Sequence, residues 1–211
     1  MTEHIFRTIS NSFELEAILD IPNTSDLPAC VVLCSPSPKF GGDMSNNVIS
    51  AIHHKLIGSN IATLRFNYGG VGKSQGKTTN GPNEILDTKN ILAKISYDHR
   101  IDGSKIGIIG YSFGGWMALE ASIDNHSIKT IVTVSCPQNK LSLFSTTEIV
   151  QPKLFILGDK DHDFPVGQFN FITNRFNNPK QSEIITKGDH FLVGQEELVA
   201  DLAMEFFQRT L

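Results

Sequence analysis

Residues 105–118 read Lys-Ile-Gly-Ile-Ile-Gly-Tyr-Ser-Phe-Gly-Gly-Trp-Met-Ala, an apolar run followed by Gly-x-Ser-x-Gly and then by small and apolar residues. This order predicts a buried strand, a very tight turn and a helix. Such a turn strains the backbone of Ser112, because the hydroxyl must point out of the top of the sheet. Gly110 and Gly114 are expected where a Cβ atom would collide with a neighbouring strand or helix. Ser112 is therefore a candidate nucleophile.

Gly-x-Ser-x-Gly alone is a weak indicator of a nucleophile, because glycine and serine are common. The neighbouring segments make the motif more specific. Here it lies directly between a strand-like and a helix-like segment, and the helix would aim its first N–H groups at the site. An ordinary glycine-rich turn remains the alternative unless the rest of the chain supplies a base and an acid.

The composition indicates one globular domain, expected to span residues 1–211. Hydrophobic residues make up 40% and charged residues 19% of the 211 residues, which excludes a disordered chain. The formal net charge is −4, and no Lys/Arg cluster exceeds two residues, so nothing indicates a nucleic-acid partner.

The cysteines and the N-terminus favour a cytoplasmic protein. Cys30, Cys34 and Cys136 are odd in number and form no Cys-x-x-Cys pair, which is typical of buried free thiols in a reducing compartment. A reactive thiol at Cys34 is the less favoured alternative. The first residues lack the apolar core of a signal peptide, and no run reaches the roughly 18 apolar residues of a membrane helix, so no membrane insertion is expected.

The chain order predicts two antiparallel strands followed by repeated strand–helix units. This pattern is typical of an α/β fold, with a mostly parallel sheet, an antiparallel N-terminal edge and helices on both faces. The segment 135–152 is too short for a cap domain, so an open site is expected. The predicted strands are 4–10, 13–21, 29–34, 61–67, 105–109, 128–134, 153–157 and 182–186. The first predicted helix is capped by Ser45 or Asn46, has apolar residues at 48, 52 and 56, and is ended by Gly58; the other predicted helices are 84–95, 113–123, 166–176 and 196–208.

The second of these strands has a clear alternation. Its odd-numbered positions from 13 to 21 are apolar, whereas Glu14, Glu16 and Asp20 lie between them. A period of two with one polar face is typical of a strand near a sheet edge. Asp20 is therefore predicted to face solvent.

Four predicted loops follow strands at the same edge of the sheet, where ligands bind in open α/β folds. They are 35–43, 111–113, 158–163 and 188–190. They supply a serine, several acids and a histidine in the chain order Ser…Asp…His, which is the triad order of the α/β-hydrolases.

Nearly the whole chain resembles the α/β-hydrolase superfamily, and more narrowly its small, lidless, dienelactone-hydrolase-like esterases. The resemblance is carried by Arg-Phe-Asn-Tyr-Gly-Gly-Val-Gly-Lys-Ser at 65–74, Gly-Tyr-Ser-Phe-Gly at 110–114, Gly-Asp-Lys-Asp at 158–161 and Gly-Asp-His-Phe at 188–191. It implies the fold and a catalytic triad but says nothing of the substrate.

By this resemblance Ser112 is the nucleophile, His190 is the general base and then the acid, and Asp161 orients the imidazole. In the resembling enzymes the acid stands three residues after the glycine that ends its strand, which favours Asp161 over Asp159 and Asp163. Asp189 is a further neighbour that could tune the base.

The alternative for His190 is an ordinary loop histidine. His162 lies in the loop of the acid and is interpreted as a loop side chain. His53 and His54 are adjacent on a helix, so they cannot share a ligand, and they are expected at the surface; the remaining histidines, His4, His99 and His126, are expected to be solvated.

The resemblance also implies an oxyanion hole, built from the backbone N–H of Phe113 and one N–H of the 35–43 loop. The relatives usually carry His-Gly or His-Pro-His-Pro there, whereas this chain has Ser-Pro-Ser-Pro at 35–38. Proline has no N–H, so Ser37 is the favoured second donor, with Lys39 and Phe40 as alternatives.

Nucleotide, cofactor and metal sites are not predicted. Val-Gly-Lys-Ser at 71–74 resembles the end of a phosphate-binding loop, but the required earlier glycine is replaced by Asn67. No dinucleotide fingerprint and no metal-ligand spacing occur. The favoured function is a serine hydrolase that cleaves a small carboxylic ester or thioester through an acyl-enzyme, without a cofactor. The alternative is a non-catalytic binding protein of the same fold, and the oligomeric state stays open.

Overall fold

The computed structural model describes residues 1–211 and contains ten strands and six α-helices. The strands are β1 (Thr2–Ile5), β2 (Thr8–Ser10), β3 (Phe13–Leu15), β4 (Ala17–Ile21), β5 (Cys30–Cys34), β6 (Ala62–Phe66), β7 (Ile106–Tyr111), β8 (Ile128–Val134), β9 (Lys153–Gly158) and β10 (Lys180–Ile185). The helices are α1 (Asn47–Gly58), α2 (Pro82–Ile95), α3 (Phe113–Ser122), α4 (Gln138–Phe144), α5 (Val166–Asn174) and α6 (Glu196–Thr210).

Eight strands form one sheet in the order β1-β4-β6-β5-β7-β8-β9-β10, and β2 pairs with β3 in a separate hairpin. The pairs β1–β4 and β4–β6 are antiparallel, and the other five pairs are parallel. The predicted α/β fold with an antiparallel N-terminal edge is confirmed. Strand β7, which precedes the serine turn, lies near the centre of the sheet.

The helices cover both faces of the sheet, and each face has its own apolar core. Helices α1 and α6 pack on one face, whereas α2, α3, α4 and α5 pack on the other. Helix α1 begins where predicted because the Asn46 side chain accepts hydrogen bonds from the backbone N–H groups of Val48 and Ile49, at 3.0 and 3.4 Å. An N-cap of this kind stabilises a helix by about 1 kcal/mol.

Three elements differ from the sequence prediction. The predicted strand 4–10 is divided into β1 and β2, and the predicted strand 13–21 is divided into β3 and β4; in both cases the two parts belong to different sheets. Helix α4 was not predicted, because its seven residues are mostly polar and follow a proline. It forms in the segment 135–152, where only Leu141 and Phe144 of the helix are buried.

Two side chains that were predicted at the surface are buried. Asp20 is 0% and His53 2% exposed, because β1 and β6 flank β4 and α1 packs above it. Asp20 Oδ2 accepts a hydrogen bond from Arg65 Nη2 at 2.9 Å, and His53 Nδ1 lies 2.7 Å from Thr63 Oγ1. Burial, aided by the positive charge of Arg65, lowers the pKa of His53 to about 4.

Candidate active site

The turn between β7 and α3 has the strained serine and the crowded glycines that the sequence predicts. Ser112 adopts φ 53° and ψ −118°, a conformation that costs a residue with a side chain about 1–3 kcal/mol. A Cβ atom on Gly110 would lie 2.0 Å from the carbonyl oxygen of Gly114, and one on Gly114 would lie 2.1 Å from that of Cys34. Only glycine at these two positions therefore lets the start of α3 pack this closely against the ends of β7 and β5.

The structure brings Ser112, His190 and Asp161 together from three separate loops. Ser112 Oγ lies 3.1 Å from His190 Nε2, and His190 Nδ1 lies 2.8 Å from Asp161 Oδ2. Both distances are within hydrogen-bond reach. In this spatial order of hydroxyl, imidazole and carboxylate, the serine hydroxyl can pass its proton to the imidazole ring.

Among the competing acids, only Asp161 contacts the imidazole. Its second oxygen accepts a hydrogen bond from the backbone N–H of Asp163 at 3.0 Å, which fixes the carboxylate. Asp159 accepts instead from the backbone N–H of Lys187 at 2.7 Å. Asp189 accepts from the backbone N–H groups of Phe191 and Leu192 in its own turn, at 3.0 and 2.7 Å.

The electrostatic surroundings favour a protonated imidazole. The hydrogen bond that Asp161 accepts from the imidazole raises the pKa of His190 above its usual value, and the charges of Asp161, Asp163 and Asp189 act in the same direction. Partial burial opposes this shift but does not cancel it. An imidazolium formed during a reaction would therefore be stabilised in place.

Tyr111 contacts the backbone of the loop that carries His190, and the sequence analysis missed this contact. Its hydroxyl donates a hydrogen bond of 2.9 Å to the backbone carbonyl of His190. Burial and the surrounding carboxylates raise the pKa of Tyr111 to about 12, so the hydroxyl keeps its proton at neutral pH. Its position inside Gly-x-Ser-x-Gly was visible in the sequence, but its partner was not.

A cavity of about 900 Å³ opens beside Ser112. Both expected oxyanion donors line it, and neither the N–H of Phe113 nor that of Ser37 donates a hydrogen bond within the chain. Phe40 also lines the cavity, but its N–H donates to the carbonyl of Ser37 at 3.1 Å, and Lys39 does not line the cavity.

One wall of the cavity was missed by the sequence analysis. It consists of the turn after β8 and the start of α4, namely Ser135, Cys136, Pro137, Gln138, Asn139 and Ser142. The rule that ligands bind at the carboxyl ends of parallel strands could have found it, because this turn directly follows β8.

The glycine-rich loop after β6 is held in place by hydrogen bonds to the rest of the chain. Ser74 Oγ donates to the carbonyl of Asn67 at 2.7 Å and accepts from the backbone N–H of Glu16 at 2.8 Å. Gly69 N donates to Asp87 Oδ2 at 2.9 Å.

No group of three or more His, Cys, Asp or Glu side chains is arranged to hold a metal ion. None of the six helices has the length and apolar composition that crossing a membrane requires.

The match to known families agrees with this geometry. The model of the dienelactone hydrolase family matches residues 73–186, more than half of the chain. The chain belongs to the dienelactone hydrolase family. The resemblance that the sequence motifs indicate is thereby confirmed, and membership supports a hydrolase activity.

This dienelactone hydrolase family member is similar in structure to an alpha-beta serine hydrolase homologue from Coxiella burnetii, with 27% identity, a TM-score of 0.86 and 97% of each chain covered. It shares its fold with a serine hydrolase without a lid from Xanthomonas campestris, with 18% identity, a TM-score of 0.85, and 99% of this chain and 95% of that chain covered. It is also 28% identical over 172 residues to an uncharacterized protein of Rickettsia prowazekii (strain Madrid E), which covers 78% of this chain and 71% of that protein.

Proposed function

We propose that the protein is a serine hydrolase that cleaves a small carboxylic ester or thioester through an acyl-enzyme. The observation that carries this proposal is the chain of contacts from Ser112 Oγ to His190 Nε2 at 3.1 Å and from His190 Nδ1 to Asp161 Oδ2 at 2.8 Å. A free serine hydroxyl is too weakly acidic to attack at neutral pH, and an adjacent base removes that obstacle.

In the first half of the reaction, His190 Nε2 takes the proton of Ser112 Oγ as the oxygen attacks the substrate carbonyl. The carbonyl π-bond pair moves to the oxygen, which becomes an oxyanion. In this proposal the N–H groups of Phe113 and Ser37 donate to it, which their lack of a partner within the chain supports, and the N-terminus of α3 adds a favourable dipole. Asp161 stabilises the imidazolium that forms meanwhile.

The tetrahedral intermediate then collapses, and the bond to the leaving oxygen or sulfur breaks. His190 gives its proton to this leaving group, which leaves Ser112 acylated. In the second half, His190 takes a proton from water, the hydroxide attacks the acyl group, and the proton returns to Ser112 Oγ. The net reaction consumes one water and releases a carboxylic acid and an alcohol or thiol.

The setting of this reaction is also proposed. A cavity of about 900 Å³ fits a small acyl compound, and these steps need no cofactor or metal. The proposal includes no nucleic-acid partner and no insertion into a membrane. Cys30, Cys34 and Cys136 are free and buried, which supports a reducing, cytoplasmic compartment.

The test is hydrolysis of p-nitrophenyl acetate together with labelling by a fluorophosphonate. The wild-type protein is expected to hydrolyse the ester and to be labelled on Ser112. Ser112→Ala is expected to lose labelling and to lose kcat by about 10⁴-fold or more, because the nucleophile is removed. Ser104→Ala, an exposed serine before β7, is the matched control and should behave as wild type. A wild-type protein with neither turnover nor labelling would instead favour the non-catalytic binding protein.

A further inference from the structure

We propose that the candidate site selects neutral and cationic esters against esters that carry a carboxylate, and that Asp163 is a specificity-determining residue for this choice. The inference rests on the proposed function and names the substrate class of the same site.

The first support is the charge of the cavity wall. None of the residues that line the cavity is a lysine or an arginine. Its carboxylates belong to Asp161 and Asp163, and its one ring base is His190. A carboxylate on the substrate would therefore lose water in this cavity without gaining an ion pair, which is unfavourable.

The second support is that the neighbouring lysines Lys39, Lys140 and Lys160 do not line the cavity. Lys140 Nζ lies 3.5 Å above the ring centroid of Trp116, a cation–π contact on α3. Lys160 Nζ lies 4.0 Å from Asp159 Oδ2. Lys39 does not line the cavity, and its ammonium group lies 5.7 Å from the ring centroid of Phe40, which does line it.

The third support is that the negative charge of Asp163 has no partner. Asp161 is paired with His190, whereas the exposed carboxylate of Asp163 makes no hydrogen bond or ion pair within the chain. The charge reaches the reacting groups, because Asp163 contributes to the raised pKa of His190. An uncompensated charge at the wall of a concave site attracts cations and repels anions.

The rest of the wall is suited to uncharged apolar groups. Pro36, Phe113, Phe164 and Phe191 all line the cavity beside Ser112. Apolar contacts of this kind favour a hydrocarbon acyl chain. Neutral esters are therefore expected to bind through these contacts, and a positive charge adds attraction to Asp163.

The test compares three p-nitrophenyl esters of similar length: those of hexanoic acid, of adipic acid as its monoester, and of trimethylammoniohexanoic acid. At low ionic strength, kcat/KM is expected to be at least about tenfold higher for the cationic and neutral esters than for the anionic one. Asp163→Asn should lower the cationic-to-anionic ratio severalfold, and Asp163→Lys should bring it below one.

The ratio separates substrate charge from changes in the base, because a shifted pKa of His190 alters all three rates alike. Asp163 contacts the carboxylate of Asp161 through its backbone N–H and not through its side chain, so both variants keep that contact. Asp26→Asn is the matched control: it removes an exposed carboxylate from the loop before β5, at the opposite end of that strand, and should leave the ratio unchanged.

Failure of this inference can be distinguished from failure of the proposed function. Turnover of the hexanoate ester with equal rates for the two charged esters overturns the charge selectivity alone. If no ester is hydrolysed, the proposed function fails, and calorimetric binding of the same esters to Ser112→Ala still decides the charge selectivity. Equal affinities for the cationic and anionic esters would then overturn it.

Discussion

The hydrogen bond between His190 Nδ1 and the accepting carboxylate of Asp161 is the main cause of the raised pKa of His190. Because this contact raises the pKa of the imidazole, kcat/KM is expected to fall on acidification through a pKa above the usual value of about 6.5. Asp161→Asn removes the charge that stabilises the imidazolium. Its acid limb should move to lower pH, and its kcat should fall by about 10⁴-fold. The measurement is kcat/KM for a p-nitrophenyl ester between about pH 5 and pH 9.

The matched control for that variant is Asp159→Asn, because its amide oxygen can still accept from the N–H of Lys187 and the side chain does not contact the imidazole. It is expected to keep the wild-type acid limb. A profile that is flat from about pH 5 to pH 8 in the wild-type protein would contradict a role for His190 as the base.

At the scale of an element, the part of the 35–43 loop that lines the cavity has one backbone N–H without a partner in the chain, that of Ser37. The carbonyl of Ser37 accepts from Phe40 N and Gly42 N, at 3.1 and 3.0 Å, so the loop is folded around that carbonyl and leaves the N–H of Ser37 unpaired. Ser37 has φ −58°, which is compatible with proline. Ser37→Pro therefore removes the donor while allowing the local backbone conformation.

If this N–H stabilises the oxyanion, Ser37→Pro should lower kcat by about 10²–10³-fold. Ser37→Ala keeps the N–H and is expected to retain wild-type kcat, so the comparison isolates the donor from the side chain. Circular dichroism of both variants verifies that the fold is kept. A folded Ser37→Pro protein with the kcat of Ser37→Ala would show that another group binds the oxyanion.

Elements with a strong local pattern were predictable, and elements that depend on distant contacts were not. Strand β8 lies where its apolar run predicts, and α1 begins at one of its two predicted caps. The seven residues of α4 have no such pattern, because only two of them reach the core. Its place in the cavity wall depends on the turn after β8, which is a property of the folded sheet.

At the scale of the molecule, the meeting of Ser112, Asp161 and His190 followed from a topological rule. Each follows a strand of the parallel part of the sheet, and the carboxyl ends of these strands share one edge. The burial of Asp20 could not be inferred in the same way. It depends on β1 and β6 flanking β4 and on α1 covering its second face, whereas the local alternation of the strand indicates a polar face.

The buried cluster around His53 makes the stability of the whole molecule depend on pH. The pKa of His53 is about 4 in the folded state and about 6.5 in the unfolded state, so the unfolded state binds the proton more readily. The contribution of neutral His53 is complete above about pH 6.5 and is lost as the pH falls toward about 4. His53→Gln should therefore show a smaller loss of unfolding free energy across this range in urea titrations. His54→Gln changes an exposed neighbour and should keep the wild-type dependence of the unfolding free energy on pH. The same pH dependence in all three proteins would mean that His53 titrates normally.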